Sequence, residues 1–418
     1  MRKRVVIAGM GFAGIRAAQT LAGSGMEVIL IDRNNYHLFQ PLLYQVATAG
    51  LEQESIAYPV RALIRGWNNL FFRMTEVTGL DLDKKRLYTS TINLDYDYLI
   101  LAGGSVTNYF GNKGVAENAH DLKKLTDAES LRNSVLSCFE QAVQVKDKEL
   151  RRQLLTFVVV GGGPTGVEFA GALSELIRYV FRKDYPTLNL DETRVLLLEA
   201  APEILGAMPP KQRQYAKERL GKMGVEVHCN TLVSDAEPGI VKLANGEEIP
   251  SKTLFWSAGV KAAPLADLIP VEKGHANRIK VNPDLSLPGY PNVFIAGDMA
   301  FVQQNGAPLP MVAPVAMQQG RHAARNIISL ERDEKTEPFR YRDKGSMATI
   351  GRSSAVATGF GISLSGFFAW LAWLFLHLFY LVGFRNRIVV LLNWGWYYWF
   401  HERQVRLITA PEKHKTTP

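Results

Sequence analysis

Cysteine is nearly absent from this chain, with only Cys138 and Cys229 in 418 residues. The two are far apart and neither belongs to a CxxC pair, which argues against a disulfide framework, a cysteine zinc site and a dithiol relay. Concentrated charge of one sign is missing too. The net charge is +8, but no long basic run is interleaved with aromatics, so no nucleic-acid partner is expected. A further shortage is local: residues Ser353–Phe384 include no charged side chain, and Ile388–Phe400 forms a second uncharged stretch. From Arg385 onward six Lys/Arg stand against two Glu. An apolar content of 47% and a charged content of 21% exclude wholesale disorder, and the length suits two or three domains. The start, MRKRVVIAGMGFAG, resembles a basic-then-apolar leader but offers no convincing cleavage site, and reads better as a first strand and turn.

What the chain does have is a duplication. Arg4–Ala8 is a β-branched run ending in glycines, followed by a helical segment through Leu21 and a strand, Glu27–Ile31, that ends at Asp32. Leu155–Val160 repeats the scheme 152 residues later, with Gly161 to Gly166, a helix to about Tyr179, and a strand Arg194–Leu198 ending at Glu199. Two doubly wound α/β domains follow from this. Further strands are expected at Asp97–Ala102 before Gly103-Gly104, at Thr253–Ala258 before Gly259, and at Asn292–Ala296 before Gly297-Asp298. A third region begins near Tyr341.

Gly9, Gly11 and Gly14, with Phe12 and Ala13 between the last two, make a GxGxxG turn. The first glycine permits the tight turn, the second lets a pyrophosphate approach the backbone, and the third allows close helix–sheet packing. Asp32 lies 23 residues after Gly9, at a strand end where a carboxylate can bond a ribose diol. Gly161, Gly163, Thr165 and Gly166 carry the second match, and Gly259 ends a neighbouring strand. Here the acid, Glu199, is 38 residues from Gly161, which implies an insertion around Phe181–Glu192. Glu199 would repel a 2′-phosphate and no Arg follows closely, so NADH is favoured over NADPH. Asp298 is delivered by a Gly turn at the end of FIAGD. In a flavin domain it would bond the ribityl chain, and otherwise it caps the turn that follows.

These residues together resemble the two-dinucleotide flavoproteins, the fold of glutathione and ferredoxin reductases. More narrowly, the chain resembles type II NADH:quinone oxidoreductases from end to end. The matching stretches are residues 34–51 (NNYHLFQPLLYQVATAGL), 165–173 (TGVEFAGAL), 312–320 (VAPVAMQQG), 345–352 (GSMATIGR) and the aromatic tail 367–400. The resemblance implies an α/β fold with two Rossmann-like dinucleotide-binding domains and a C-terminal helical membrane-docking segment. The expected division is an FAD domain in two segments, 1–115 and 261–345, an NAD(H) domain at 116–260, and a membrane-associated region at 346–418. It implies FAD contacts from Asp32, Arg33, Val77, Ala102, Gly103, Asp298 and Ala313 alongside the first glycine loop. Glu168 would stand near nicotinamide and quinone, either carrying a proton or only complementing a helix terminus. Gln318 matches a glutamine of the quinone-site motif, whereas Pro314 stands where many members carry Gln.

The reaction implied is hydride transfer from NADH to FAD, then two electrons to a membrane quinone, without a metal, an iron–sulfur centre or proton pumping. A homodimer on the cytoplasmic face of the membrane is implied as well. Two rivals are a sulfide:quinone reductase, which needs cysteines flanking the flavin, and a non-catalytic NAD-sensing membrane flavoprotein. In the tail, Ser363–Phe384 has the length of a spanning helix. Yet Gly366, Trp370, Trp373, His377, Tyr380 and Phe384 fall on one helical stripe. Polar-tipped aromatics on one side predict an interfacial helix with that stripe at headgroup depth, and Arg385, Arg387, Arg403 and Arg406 meeting anionic lipid.

Overall fold

The computed structural model describes residues 2–403 and 405–409. It divides into two compact units, one of residues 1–38, 57–106 and 260–343, the other of 39–56, 107–259 and 344–418. The tail after Lys344 and the short segment 39–56 therefore group with the second glycine motif.

The first unit is built on a six-stranded sheet. Arg4–Ala8 lies centrally, parallel to Glu27–Asp32 on one side and to Tyr98–Leu101 on the other. Leu70–Met74 and Tyr290–Ile295 extend the parallel order outward, and Ser286–Leu287 closes one edge antiparallel. The strands are Val/Ile/Leu-rich runs because both faces are covered, as a parallel sheet requires. On one face, the first glycine helix (Phe12–Leu21) packs against the helix Ala313–Glu331. Contact is close enough that a Cβ on Gly320 would fall 2.0 Å from the Ala13 carbonyl oxygen.

The second unit repeats the core of this plan. Thr156–Val160 is flanked in parallel by Arg194–Leu198 and Thr253–Trp256, with Val225–His228 beyond. The second glycine helix (Pro164–Glu175) is covered chiefly by a strand. That strand, Ser346–Gly351, leads an antiparallel three-stranded sheet with Ser354–Gly359 and Ile362–Gly366. A Cβ on Gly171 would meet the Ile350 carbonyl oxygen at 1.9 Å, so a glycine is needed where strand crosses helix.

The uncharged tail is not one helix. Ile362–Gly366 pairs as a strand, Phe367–Tyr380 is a 14-residue helix, and Phe384–Phe400 is a second helix. The breaks sit at Gly366 and Gly383, whose φ angles of +81° and +91° suit glycine and end helical continuity. No helix among the described residues is long and apolar enough to cross a membrane. The aromatic stripe is also turned the other way from expectation. Trp373 is 1% exposed and packs inward, whereas Phe368 and Phe375, on the Leu/Phe faces, are each 72% exposed. Apolar side chains are thus turned outward, and Trp373 and His377 are spent on internal hydrogen bonds.

Candidate functional site

Both glycine loops use the same local geometry. Gly9 and Gly161 have φ of +106° and +107°, in the left-handed region. A Cβ on Gly9 would lie 2.3 Å from the Ala102 carbonyl oxygen, and one on Gly161 would lie 2.8 Å from the Ala258 backbone. The last glycine of each motif packs on the first: a Cβ on Gly14 would be 1.8 Å from the Gly9 oxygen, and one on Gly166 would be 1.9 Å from the Gly161 oxygen. The middle glycines, Gly11 and Gly163, have open space where a Cβ would stand. They are the N-caps of their helices, and neither supplies a side-chain cap. The result in each unit is a helix N-terminus whose orphan amides and positive dipole end face a cradle fitted to a pyrophosphate.

The acids close the same loops. Asp32 Oδ2 accepts from the Met10 amide at 2.7 Å and its Oδ1 from Asn34 at 2.8 Å. Glu199 Oε2 accepts from the Gly162 amide at 2.5 Å and its Oε1 from Ala201 at 2.7 Å. Each carboxylate is therefore fixed by two backbone donors and keeps lone pairs for a ribose diol. Burial raises the pKa of Asp32, the Asn34 and Met10 amides opposing it. The first loop has one more support. His37 lies with Nδ1 at 2.9 Å from the Met10 carbonyl oxygen and its ring edge-on to Phe12. Burial lowers its pKa to about 4, so the ring is neutral at pH 7 and its Nδ1–H donates to that carbonyl.

Asp298 follows Gly297 (φ +75°) at the end of the strand Tyr290–Ile295 and accepts the Ser105 hydroxyl at 2.6 Å. Gln319, 1% exposed, holds this turn by accepting the Gly297 amide at 2.7 Å. Its neighbour Gln318 is committed differently, its amide donating to and accepting from the Arg342 backbone at 2.9 and 3.0 Å. Ala313 and Pro314 open the helix Ala313–Glu331, and proline is well tolerated in that first turn. Val77 starts a strand, Gly103 donates its amide to Met299 Sδ at 3.0 Å, and Arg33 pairs with Glu76 at 4.0 Å on the surface. In the second unit Thr165 is exposed in the first turn of its helix, and Gly259 lies under the ring of Phe110.

Glu168 is neither a cap nor a surface charge. It is 8% exposed, and its Oε1 accepts from the Thr349 amide and from the Trp373 indole Nε1, both at 3.2 Å. Burial raises its pKa to about 8 and outweighs the two donors, which act to lower it. Glu168 is therefore largely protonated at neutral pH. Two helical turns on, Glu175 is also buried and accepts the Tyr397 hydroxyl at 3.0 Å and the Arg352 amide. Arg403 pairs with it at 3.5 Å and donates to the Thr48 and Ala172 carbonyl oxygens at 2.7 and 3.1 Å. Both carboxyls line a cavity of about 80 Å³, together with Tyr44, Gln45, Trp370 and Trp394. That volume suits a few waters, and is below the ~150 Å³ that admits a benzene ring.

Residues 3–320 match the pyridine nucleotide-disulphide oxidoreductase family. The type II NADH:quinone oxidoreductase Ndh of Mycobacterium tuberculosis is 43% identical over 408 residues, covering 94% of this chain and 87% of that protein. The chain belongs to the type II NADH:quinone oxidoreductase family. The structure of NDH2 from Plasmodium falciparum in complex with NADH shares the fold, with a TM-score of 0.89 and 20% identity over 97% of this chain and 100% of that one. A sulfide:quinone oxidoreductase from Aquifex aeolicus is similar at a TM-score of 0.73 and 18% identity, over 93% and 92%.

Against this type II family background, the rival chemistry of sulfide lacks its sulfur ligands. Cys138 is buried in the helix Leu125–Gln144 beside Thr253, and Cys229 follows the strand Val225–His228. Two expectations about the tail need correction. Arg403 is buried in the ion pair just described, and Arg406 pairs with Asp184, so neither is a free lipid contact. Arg387 donates to the carbonyl oxygens of Leu381 and Phe379, which leaves Arg385 as the exposed cation of that set. Gln319, which the sequence offers beside Gln318 as a quinone-lining or surface amide, is instead buried and holds the Gly297 turn, and sequence reasoning missed Glu175 and His37. The signals were present: Glu175 is seven residues from Glu168 on one helix, and His37 sits inside the stretch 34–51.

Proposed function

We infer that this chain is a non-proton-pumping NADH dehydrogenase that reduces a quinone, with FAD and NADH as its redox partners. The observation that carries the reading is the pair of equivalent dinucleotide cradles in one chain. Bound FAD supplies the hydride-accepting and two-electron-donating chemistry. We assign FAD to the cradle of the first unit, with Gly9, Gly11, Gly14, Asp32 and Asp298 holding it, and NADH to that of the second, through Gly161, Gly163, Gly166 and Glu199. The net reaction, NADH + H⁺ + quinone → NAD⁺ + quinol, takes up one proton from solvent. Glu168 is the group suited to deliver it, because a buried carboxyl still protonated at pH 7 is a donor and not a spectator charge. Waters in the adjoining cavity would reload it.

The exposed apolar face formed by Phe368, Phe375, Phe379, Phe384 and Leu392 supports peripheral docking in a bilayer, and Arg385 beside it suits anionic lipid. Attachment at the cytoplasmic face and a homodimer are part of the same proposal. The test is NADH oxidation by the purified protein across ubiquinone and menaquinone analogues, with the bound flavin released and identified. Quinone-dependent oxidation with one FAD per chain is expected. Turnover too slow with every quinone would return the chain to the class of non-catalytic sensors.

A further inference from the structure

Glu168 is held from one side only. Its two donors, the Thr349 amide and the Trp373 indole N–H, converge on the same oxygen, Oε1. An oxygen that already accepts two N–H groups is the poorer place for a proton, so a proton on this carboxyl belongs on Oε2. Trp373 is built to keep that arrangement. It is 1% exposed, its ring stacks on His377 with centroids 4.0 Å apart, and it packs against Trp394 at 5.7 Å. Trp394 is itself tied to Gln45 Oε1 at 2.8 Å.

We propose that Trp373 is a positioning residue for quinone reduction: its indole N–H fixes Oε1 of Glu168 as the acceptor oxygen, leaving Oε2 to carry the transferable proton. This rests on the reading of Glu168 as the proton-delivering carboxyl. In the step itself, the Oε2–H bond breaks as a cavity water takes that proton and passes one of its own on, forming an O–H bond on the reduced quinone oxygen, and a proton from solvent then returns to Oε2 by the same waters. The N–H donor also stabilises the carboxylate left behind, so it sets the pH at which the donor form runs out.

The other ionisable groups around the site do not take over this role. Tyr44 remains a phenol, because burial and then the nearness of Glu168 hold its pKa well above the usual tyrosine range. Glu175 is engaged by Arg403, Tyr397 and the Arg352 amide. His377 is kept neutral by burial, with a pKa of about 4, and its Nδ1 is at 2.7 Å from the Trp373 carbonyl oxygen. Arg352 lies over the Tyr398 ring, 4.2 Å from its centroid.

The experiment uses the full-length holoenzyme and two readouts. The first is the pH profile of flavin reoxidation by a soluble quinone, and the second is infrared titration of the protonated carboxyl band that Glu168→Gln removes. Trp373→Phe keeps an aromatic ring but loses the donor, and should move both midpoints upward by about one pH unit. The carboxyl band should also shift in frequency as the hydrogen bond is lost. A merely structural tryptophan would lower activity at all pH values and leave the midpoints in place. If Trp373→Phe fails to fold, benzothienylalanine at position 373 retains the bicyclic shape and removes only the N–H. Unmoved midpoints in whichever variant folds overturn the proposal. An alkaline limb that survives in Glu168→Gln overturns the underlying role of Glu168 instead, and the infrared midpoint then still reports whether Trp373 tunes that carboxyl.

Discussion

The two nucleotide cradles are near copies in backbone geometry and differ in what lies over the helix behind them. In the first unit the glycine helix is covered by another helix, with Gly320 set against Ala13, and its buried residues are all small or apolar: Ala13, Gly14, Ile15, Ala17, Ala18 and Leu21. In the second, the helix is covered by the strand Ser346–Gly351 and buries two carboxyls, Glu168 and Glu175. The second helix also continues beyond Glu175 as a π-helical turn, Leu176–Phe181, followed by a short helix Arg182–Asp184 and a loop to the strand at Arg194, and together these account for the longer path to Glu199. The duplicated loop thus recurs in both units, while a buried acid held by donors from the covering layer is found only in the second. A binding scaffold is conferred by glycine spacing, and a reactive group by what packs behind it.

The sharpest way to break this equivalence is to block each loop in turn. Gly14→Ala and Gly166→Ala place the same methyl against the same backbone oxygen, at 1.8 and 1.9 Å. Gly14→Ala should purify nearly devoid of flavin by absorbance, and Gly166→Ala should keep flavin but lose NADH-dependent bleaching. Loss of flavin from both would show that the loops are not separate sites. Next in size, Glu168→Gln should slow reoxidation of the flavin by quinone about 10²-fold or more, the usual range for a lost general acid, and leave reduction by NADH close to wild type. Stopped-flow absorbance separates the halves, and equal slowing of both would remove the distinction between the units.

A smaller effect is expected at Glu199. Glu199→Ala removes two backbone hydrogen bonds and the repulsion of a 2′-phosphate, so KM for NADH should rise about tenfold or more and the preference over NADPH should narrow. The smallest effect is on stability. The carboxyl of Glu168 has a pKa raised from 4.5 to about 8 on folding. Between those values the unfolded chain has lost the proton that the folded chain still holds, so stability contributed by this site falls as pH rises through that window and levels off above it. Glu168→Gln, neutral throughout, should therefore gain a few degrees in Tm relative to wild type between pH 5 and pH 8, measured by calorimetry on the holoenzyme.

The cradles were legible because their constraints are local. Gly9, Gly14 and Asp32 must lie at set spacings for one turn to close, and the same holds for Gly161, Gly166 and Glu199. The tail was legible only in composition. Hydropathy gives Ser363–Phe384 as one long run, yet two glycines with positive φ divide it, and strand pairing with Ser354–Gly359 takes up its start. The stripe of Trp370, Trp373 and His377 has the right periodicity, but periodicity cannot tell a face turned to headgroups from one turned to the protein. That choice was decided by a partner 205 residues away, the carboxyl of Glu168. Glu175 was missed for the same reason, since its cation, Arg403, comes from a distant part of the chain.

The Arg403 staple also has a consequence for how the protein is made. Its guanidinium joins the carbonyl oxygens of Thr48 and Ala172 to Glu175, and Glu175 is synthesised 228 residues before it. At ~5–20 residues per second, the carboxyl waits on the order of ten to forty-five seconds for its counter-charge. Throughout that interval the nascent second unit holds an acid without its cation, and until Ser346–Gly351 is made the helix also lacks its covering strand. The first unit needs only residues up to Asp343 and can close earlier, so a ribosome stalled within the tail would leave the first unit finished and the buried acids of the second not yet fully enclosed.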